Sequence, residues 1–326
     1  MPASSATFKD YVQAIRPQNS MLTALALALP VILVVRTLDL FILGLLVLGF
    51  LLNSAASIHN NICDFSYDLK VKYTSDRVVG TKISMGRAKA LYAAILALAT
   101  VMGLYFSKGD PWAITALFFT MGIVSLYNIV GKTHYSWGIC ISLGIASLVW
   151  YGSILAGGVS NIDMFILVYL AIQAGFMQNL EGGLKDVATD VSNMAASLGV
   201  RVKGKRLRMS NAFAATTYGT KAVQTAIFVY MLGATIGILH PVSILILVLT
   251  VLSYIVIYKL LSMTRFDRKR IIQYFGYHEA LTWVMLTLFL EPFIGPWLML
   301  FVALLPLVWY VVYNRLVHKD PLVPDI

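Results

Sequence analysis

Apolar residues run along this chain in long, nearly unbroken stretches separated by short polar punctuation. Ten such stretches lie near 18–35, 40–62, 86–106, 111–130, 137–157, 162–184, 212–238, 242–262, 272–290 and 294–313. Most approach or exceed the roughly 20 residues that carry an α-helix across a bilayer. None alternates polar and apolar positions with a period of two, as a lumen-lining barrel strand would. The pattern predicts an all-α integral membrane protein, a bundle of nine to ten transmembrane helices with ten counted. The stretch 272–290 is the least regular, since His278 and Glu279 lie near its start.

Most links between stretches are short, as at Thr37–Asp39, Ser107–Asp110, Gly131–Ser136 and Gly158–Asn161. Short links make consecutive helices antiparallel neighbours. Two links are much longer, near 63–85 and 185–211, and are expected to form caps on one side of the membrane; a third, around Met263–Ile271, is intermediate. The long links follow the second and sixth stretches, which hints at an internal duplication. No Pro/Gly/Ser-rich linker divides the chain, so residues 1–326 read as one domain.

Composition sharpens this picture. Hydrophobic residues make up 59% of the 326, charged ones 12%, and the mean hydropathy is +0.79. So few charges could not cover a water-soluble fold of this size. The net charge of +10 has a placement that explains it without nucleic acid: of 25 Lys and Arg, only Arg36 and Lys108 fall on the side opposite the N-terminus. Such asymmetry is the positive-inside signature, and it puts both termini in the cytoplasm. Cys63 and Cys140 have neither a second Cys nor a His at metal-ligand spacing, which argues against a zinc site or a disulfide framework. The first 17 residues show no cleavage-site pattern, so the first span is expected to serve as an uncleaved targeting signal.

The chemistry lies with the acids. Asn60, Asp64 and Asp68 are spaced by four at the end of the second span, and Asp186 and Asp190 repeat that spacing after the sixth. Residues four apart share a helix face with a drift of ~40° per step. Acids near the hydrocarbon are costly, about 2.5 to 3.5 kcal/mol each at a helix centre, so two such pairs at matching depth ask for a compensating cation. Carboxylates and an amide carbonyl form a hard-oxygen set suited to Mg²⁺ and a substrate phosphate. Lys70, Lys72, Arg77 and Lys82 follow the first cluster, and Lys185 and Arg201 to Arg208 surround the second. They can anchor the chain at the cytoplasmic surface, or neutralise a bound diphosphate, for which Arg77 and Lys72 are best placed. Solvated loop acids, a divalent-cation transporter and a plain scaffold are the other readings of these clusters.

At these residues the sequence resembles the UbiA superfamily of membrane prenyltransferases. Its Asn-x-x-x-Asp-x-x-x-Asp and Asp-x-x-x-Asp motifs are matched by Asn60, Asp64, Asp68 and by Asp186, Asp190 on the expected spans. Arg16-Pro17-Gln18-Asn19, Arg77, Gly80-Thr81-Lys82-Ile83-Ser84, the Tyr127…Lys132 pair, Lys185-Asp186 and, loosely, Leu198-Gly199-Val200-Arg201 also resemble family segments. The likeness covers about 12 to 260. Three features depart from the pattern: Asn61 stands where an acid is usual, Val78 replaces a Pro after Arg77, and ten spans replace nine.

The resemblance implies transfer of an isoprenyl group from a prenyl diphosphate donor to a lipophilic acceptor, within a bundle open sideways to membrane lipid. Asn60, Asp64, Asp68, Asp186 and Asp190 would hold Mg²⁺, two ions bridging to the diphosphate. Lys72, Arg77, Lys132 and Lys185 would steady the leaving diphosphate, and Arg16 and Asn19 would meet the acceptor or gate it. Tyr127, Tyr151 or Trp150 could face the allylic cation. A terpene cyclase of the same type, using the same metal sites, is the nearest alternative. The acceptor, a quinone or aromatic precursor or a glycerol-phosphate lipid, and the donor length are not legible; a prokaryotic plasma membrane is the default location.

Overall fold

The computed structural model describes the backbone over residues 6–68, 78–131, 133–190 and 192–317, with side chains except at 18, 67 and 68. It is 81% helix. An amphipathic α1 (Phe8–Ile15) and a 3₁₀ turn (Pro17–Asn19) lead into α2 (Ser20–Val35), α3 (Leu40–Asp68), α4 (Met85–Ser107) and α5 (Pro111–Val130). After a second 3₁₀ turn (Tyr135–Gly138) come α6 (Ile139–Leu155) and α7 (Asn161–Gly175), which passes through a π-helical segment (Phe176–Glu181) into α8 (Gly182–Asp186). A short α9 (Met194–Ser197) and the hairpin β1 (Arg201–Lys203) and β2 (Arg206–Arg208) precede α10 (Asn211–Thr235), α11 (Pro241–Leu261), α12 (Arg268–Ile294) and α13 (Pro296–Val317).

These helices coincide with the ten expected stretches, but among the described residues seven are long and apolar enough to span a bilayer, or eight if α1 and α2, bent by 52°, act as one. The shortfall has a physical source. α2 has only 16 residues, while α10 and α12 carry buried polar groups. Within the bundle Lys221 of α10 donates to Gln224 Oε1 (3.0 Å) and Thr282 Oγ1 of α12 (3.5 Å), and Gln224 donates to Gln173 of α7 (3.0 Å). His278 of α12 lies 2.9 Å from Glu181 of the π segment. Polar links of this kind tie helices together where apolar packing gains nothing over lipid.

α2 is the hub. Ala24 through Ile32 are all buried, and the helix packs against α3, α6, α12 and α13. Small residues permit that approach. A Cβ at Gly49 of α3 would sit 2.4 Å from the Ala24 Cα, and one at Gly152 of α6 would sit 2.1 Å from the Leu27 carbonyl oxygen. Neither obstacle is a flexible side-chain end. Gly152→Ala is therefore expected to cost roughly 1–3 kcal/mol by forcing α2 and α6 apart, read as a lower unfolding midpoint in detergent. A midpoint equal to wild type would contradict this packing.

The second cap is real structure. β1 and β2 pair in antiparallel register, and the link between α11 and α12 joins them through Leu207 N–H to Thr264 O (2.9 Å) and Phe266 N–H to Lys205 O (2.8 Å). Phe176, Leu184, Val187, Val200, Leu207 and Ile271 belong to the apolar core beneath it. On the other side α1 docks on the end of the first cap, where Ala14 packs with Val79, Ile83 and Ala88. Lys82 reaches Asp10 at 3.0 Å. Hydrogen bonds from the Thr7 side chain hold the buried Asp10 carboxyl at about 2 against the opposing effect of burial, with help from the Thr7 amide and Lys82. A depressed carboxylate stabilises the fold above its ordinary range near 4, and that contribution is lost as pH falls toward 2. Amide protection in α1, taken relative to the intrinsic exchange rate at each pH, should thus step down between pH 4 and 2 in wild type. An Asp10→Asn variant should not show that step; persistence of the step would assign it elsewhere.

Candidate functional site

α3 continues past the expected end of the second span to Asp68, so Asn60, Asp64 and Asp68 ride one helix rather than a loop. Asp64 is 7% exposed. The second pair is set by the end of α8: the Asp190 amide donates to the Asp186 carbonyl (2.8 Å), which stacks the two residues on one turn. The Asp190 carboxylate accepts from the Ser192 hydroxyl (2.7 Å) and amide (3.1 Å). Tyr127, near the end of α5, lies within the electrostatic reach of Asp64, Asp190 and Asp186, and the Gln178 amide of the π segment donates to its hydroxyl. The two motifs, far apart in sequence, therefore both act on Tyr127.

Two arginines stand among the acids. Arg16 adopts φ 46°, ψ 57°, a left-handed conformation uncommon outside glycine and often stored at functional sites. The conformation ends α1 and turns the chain into α2. Its guanidinium donates to Asn61 Oδ1 (2.8 Å) and feels the charges of Asp64, Tyr313 and Asp186. α13 braces this turn, for Trp309 Nε1 donates to the Pro17 carbonyl (2.7 Å). Arg268, at the start of α12, places Nη2 3.1 Å from Asp186 Oδ1. Sequence reasoning missed Arg268 because 82 residues separate it from its partner and no spacing rule joins them. Gln178 and Asn61 were missed in the same way.

Asn61 has a physical account. Its amide oxygen accepts from Arg16 while its Nδ2 donates to the Ala14 carbonyl (3.1 Å). A carboxylate could accept but not donate. Asn61→Asp is expected to release the end of α1, at a cost of about 1 kcal/mol, while strengthening the hold on Arg16. Faster amide exchange around Ala14 is the readout, and unchanged exchange would refute it.

Other expected residues are placed less centrally. Asn19 is exposed at the end of the 3₁₀ turn. Lys185 is half-buried in the last turn of α8, beside Asp186. Asn60 is half-buried on the acid-bearing helix. Lys72, Arg77 and Lys132, and the side chain of Asp68, lie outside the described residues. Tyr151 is a correction: its hydroxyl donates to the Gly103 carbonyl (2.7 Å) between α6 and α4, so it is a packing residue there. Gly80, at φ +87° in the turn that follows the first cap, is pressed against Phe65, where an added Cβ would come within 2.0 Å of the ring. That contact supports the acid-bearing helix from outside.

Among the described residues no three His, Cys, Asp or Glu side chains converge to enclose a metal ion. The donors that the two motifs offer, Asp64, Asp186 and Asp190, are all oxygen. They match an ion that takes one or two carboxylates and keeps water or phosphate for its other positions.

Three solved structures share the fold. A UbiA homologue from Archaeoglobus fulgidus bound to GPP and Mg²⁺ superposes with a TM-score of 0.64 at 16% identity, over 88% of this chain and all (100%) of the other. A digeranylgeranylglyceryl phosphate synthase gives 0.62 at 15% identity, over 88% and 99%. The apo UbiA homologue from Aeropyrum pernix K1 gives 0.59 at 17% identity, over 86% and 96%. No curated protein sequence matches the chain. The model of the UbiA prenyltransferase family matches residues 20–275, which contain both acid motifs, Tyr127 and Arg268. This chain belongs to the UbiA prenyltransferase family and is an enzyme of the prenyltransferase class.

Proposed function

We propose that this chain is a Mg²⁺-dependent intramembrane prenyltransferase that moves an isoprenyl group from a prenyl diphosphate to a lipophilic acceptor and releases diphosphate. What supports this reading is that Asp64, Asp186 and Asp190 all act electrostatically on Tyr127, that Arg268 pairs with Asp186, and that Arg16 lies in the field of Asp64 and Asp186. An anion-binding site needs a cation to reconcile it with three carboxylates, and the similar Archaeoglobus structures hold Mg²⁺ together with GPP or with DMAPP.

Asp64, Asp68, Asp186 and Asp190, with Asn60, would hold the metal, two ions in our reading. When bound, the ions supply positive charge against the diphosphate. Arg16, Arg268 and Lys185 would donate hydrogen bonds to its remaining oxygens; the same role is proposed for Lys72, Arg77 and Lys132, which lie outside the described residues. Such preorganised donors matter most as the allylic C–O bond breaks and negative charge collects on the departing oxygen. The Tyr127 ring offers its face to the cation left behind, and its hydroxyl is fixed by Gln178. Asn19 lies beside Arg16 where an acceptor would approach. The apolar helices exclude water from the cation. All ten helices cross the membrane in this reading, with both termini cytoplasmic in a prokaryotic plasma membrane. The acceptor is a quinone or aromatic precursor, or a glycerol-phosphate lipid.

The test is mass spectrometry of lipids formed by purified protein given prenyl diphosphates of several lengths, Mg²⁺ and a panel of both acceptor types. A prenylated acceptor that vanishes with chelator is the expected result. A metal-dependent cyclic hydrocarbon formed without acceptor would replace transferase by cyclase. Metal flux into vesicles with no turnover would revive a transporter.

A further inference from the structure

The hairpin in the second cap has an unusual outward face. Its two-residue turn is Gly204-Lys205, with positive φ at Gly204 (+59°), the glycine-first arrangement of tight hairpins. The register pairs Arg201 with Arg208, Val202 with Leu207 and Lys203 with Arg206. Side chains alternate across a strand, and burial follows that alternation. Leu207 is buried and Val202 half-buried on the inner face, while Arg201, Lys203, Arg206 and Arg208 are exposed on the outer one. Arg265, from the link between α11 and α12, forms an antiparallel bridge with Arg206 and is also exposed.

Five cations therefore occupy one small face, in the cross-strand rows Arg201/Arg208 and Lys203/Arg206/Arg265. Like charges directly opposite each other destabilise a sheet. Arg201 is partly engaged, donating to the carbonyls of Ala196 (2.6 Å) and Val200 (2.9 Å). Lys203, Arg206, Arg208 and Arg265 make no ion pair among the described residues. Anchoring a helix end at a membrane needs basic residues near the surface, but it does not need them paired cation against cation on a folded sheet. The arrangement is uncompensated unless an anion lies on it.

Its position selects the anion. Arg208 lies three residues before the start of α10, and Arg265 four after the end of α11. At ~3.3 Å per extended residue, both are within about 10 to 13 Å of the ends of bundle helices, at headgroup depth. We propose that this five-cation face is a binding site for anionic phospholipid headgroups, and that it fastens the cap over α8 to the membrane surface. The inference is independent of the proposed chemistry, because nothing in it requires turnover.

The test uses the full-length protein in nanodiscs with graded fractions of phosphatidylglycerol in phosphatidylcholine. The ratio of anionic to zwitterionic lipid around the protein is measured with spin-labelled lipids. Each cation near an anionic surface is worth roughly a fivefold factor, so the variant K203Q/R206Q/R208Q/R265Q should lose at least about tenfold of the anionic preference. All four side chains are exposed, and the charge-conserving K203R/R206K/R208K/R265K variant should keep the preference, which separates charge from folding damage. No preference in wild type, an equal preference in the neutralised variant, or loss of preference in the charge-conserving one would each overturn the proposal. Displacement of the labelled lipid by millimolar inorganic diphosphate would also overturn it, by making the face a site for soluble phosphate.

Discussion

Asp64→Asn should lower prenyl transfer by at least ~10³-fold with little loss of fold. The exchange keeps size and one oxygen but removes a charge, and a site that acts by holding metal and diphosphate depends on that charge. Asp64, Asp186 and Asp190 all act on Tyr127, so removing one of these like charges eases the field there as well as weakening the attraction to Arg16. Stability is therefore expected to stay within about 1 kcal/mol of wild type. Asp186→Asn should be similarly inactive, and the double variant scarcely worse than either single one, because groups acting as a unit are not additive. Initial rates across a Mg²⁺ titration, beside an unfolding midpoint, provide the check. Activity within tenfold of wild type at saturating Mg²⁺ would remove Asp64 from the site.

Lys221→Met should destabilise the bundle by about 1–3 kcal/mol, because the buried oxygens of Gln224 and Thr282 lose their donor. Lys221 is 1% exposed and Glu181 2%, and each lies in the field of the other. The ammonium also gathers Gln224 and Thr282, so its loss loosens α10 from α12. Glu181→Gln in the Lys221→Met background should recover part of the loss, since Glu181 loses a nearby positive charge but keeps His278 at 2.9 Å. Unfolding of the four proteins in one detergent forms the cycle. If the double variant is as unstable as the sum of the singles, the two charges do not support each other and the coupling argument fails. The two variants differ in kind: one is expected to remove activity and spare the fold, the other to loosen α10 from α12.

The periodicity of this chain determined its class. Long apolar stretches, short links and one-sided Lys and Arg leave a helical membrane bundle as the economical reading, because hydrogen bonding within each segment is what lipid demands. The spacing of Asn60, Asp64 and Asp68, and of Asp186 and Asp190, was equally legible, since four residues return a helix to nearly the same face. α10 and α12 are less apolar than a span requires. The polar residues that lower their scores are the ones buried against α7 and the π segment, and only packing reveals which polar groups face protein rather than lipid. Asn61 showed in the sequence only as a missing acid; the structure shows an amide that must both accept from Arg16 and donate to Ala14.

What only the tertiary structure decided is everything that joins distant segments. Arg268 finds Asp186, and Trp309 closes over the Arg16–Pro17 turn. The basic residues from Arg201 to Arg208 become one charged face because strand pairing sets their register. Local sequence encodes the period of each element, but these contacts depend on how the helices cross, and crossing is set by small residues such as Gly49 and Gly152 meeting the backbone of α2.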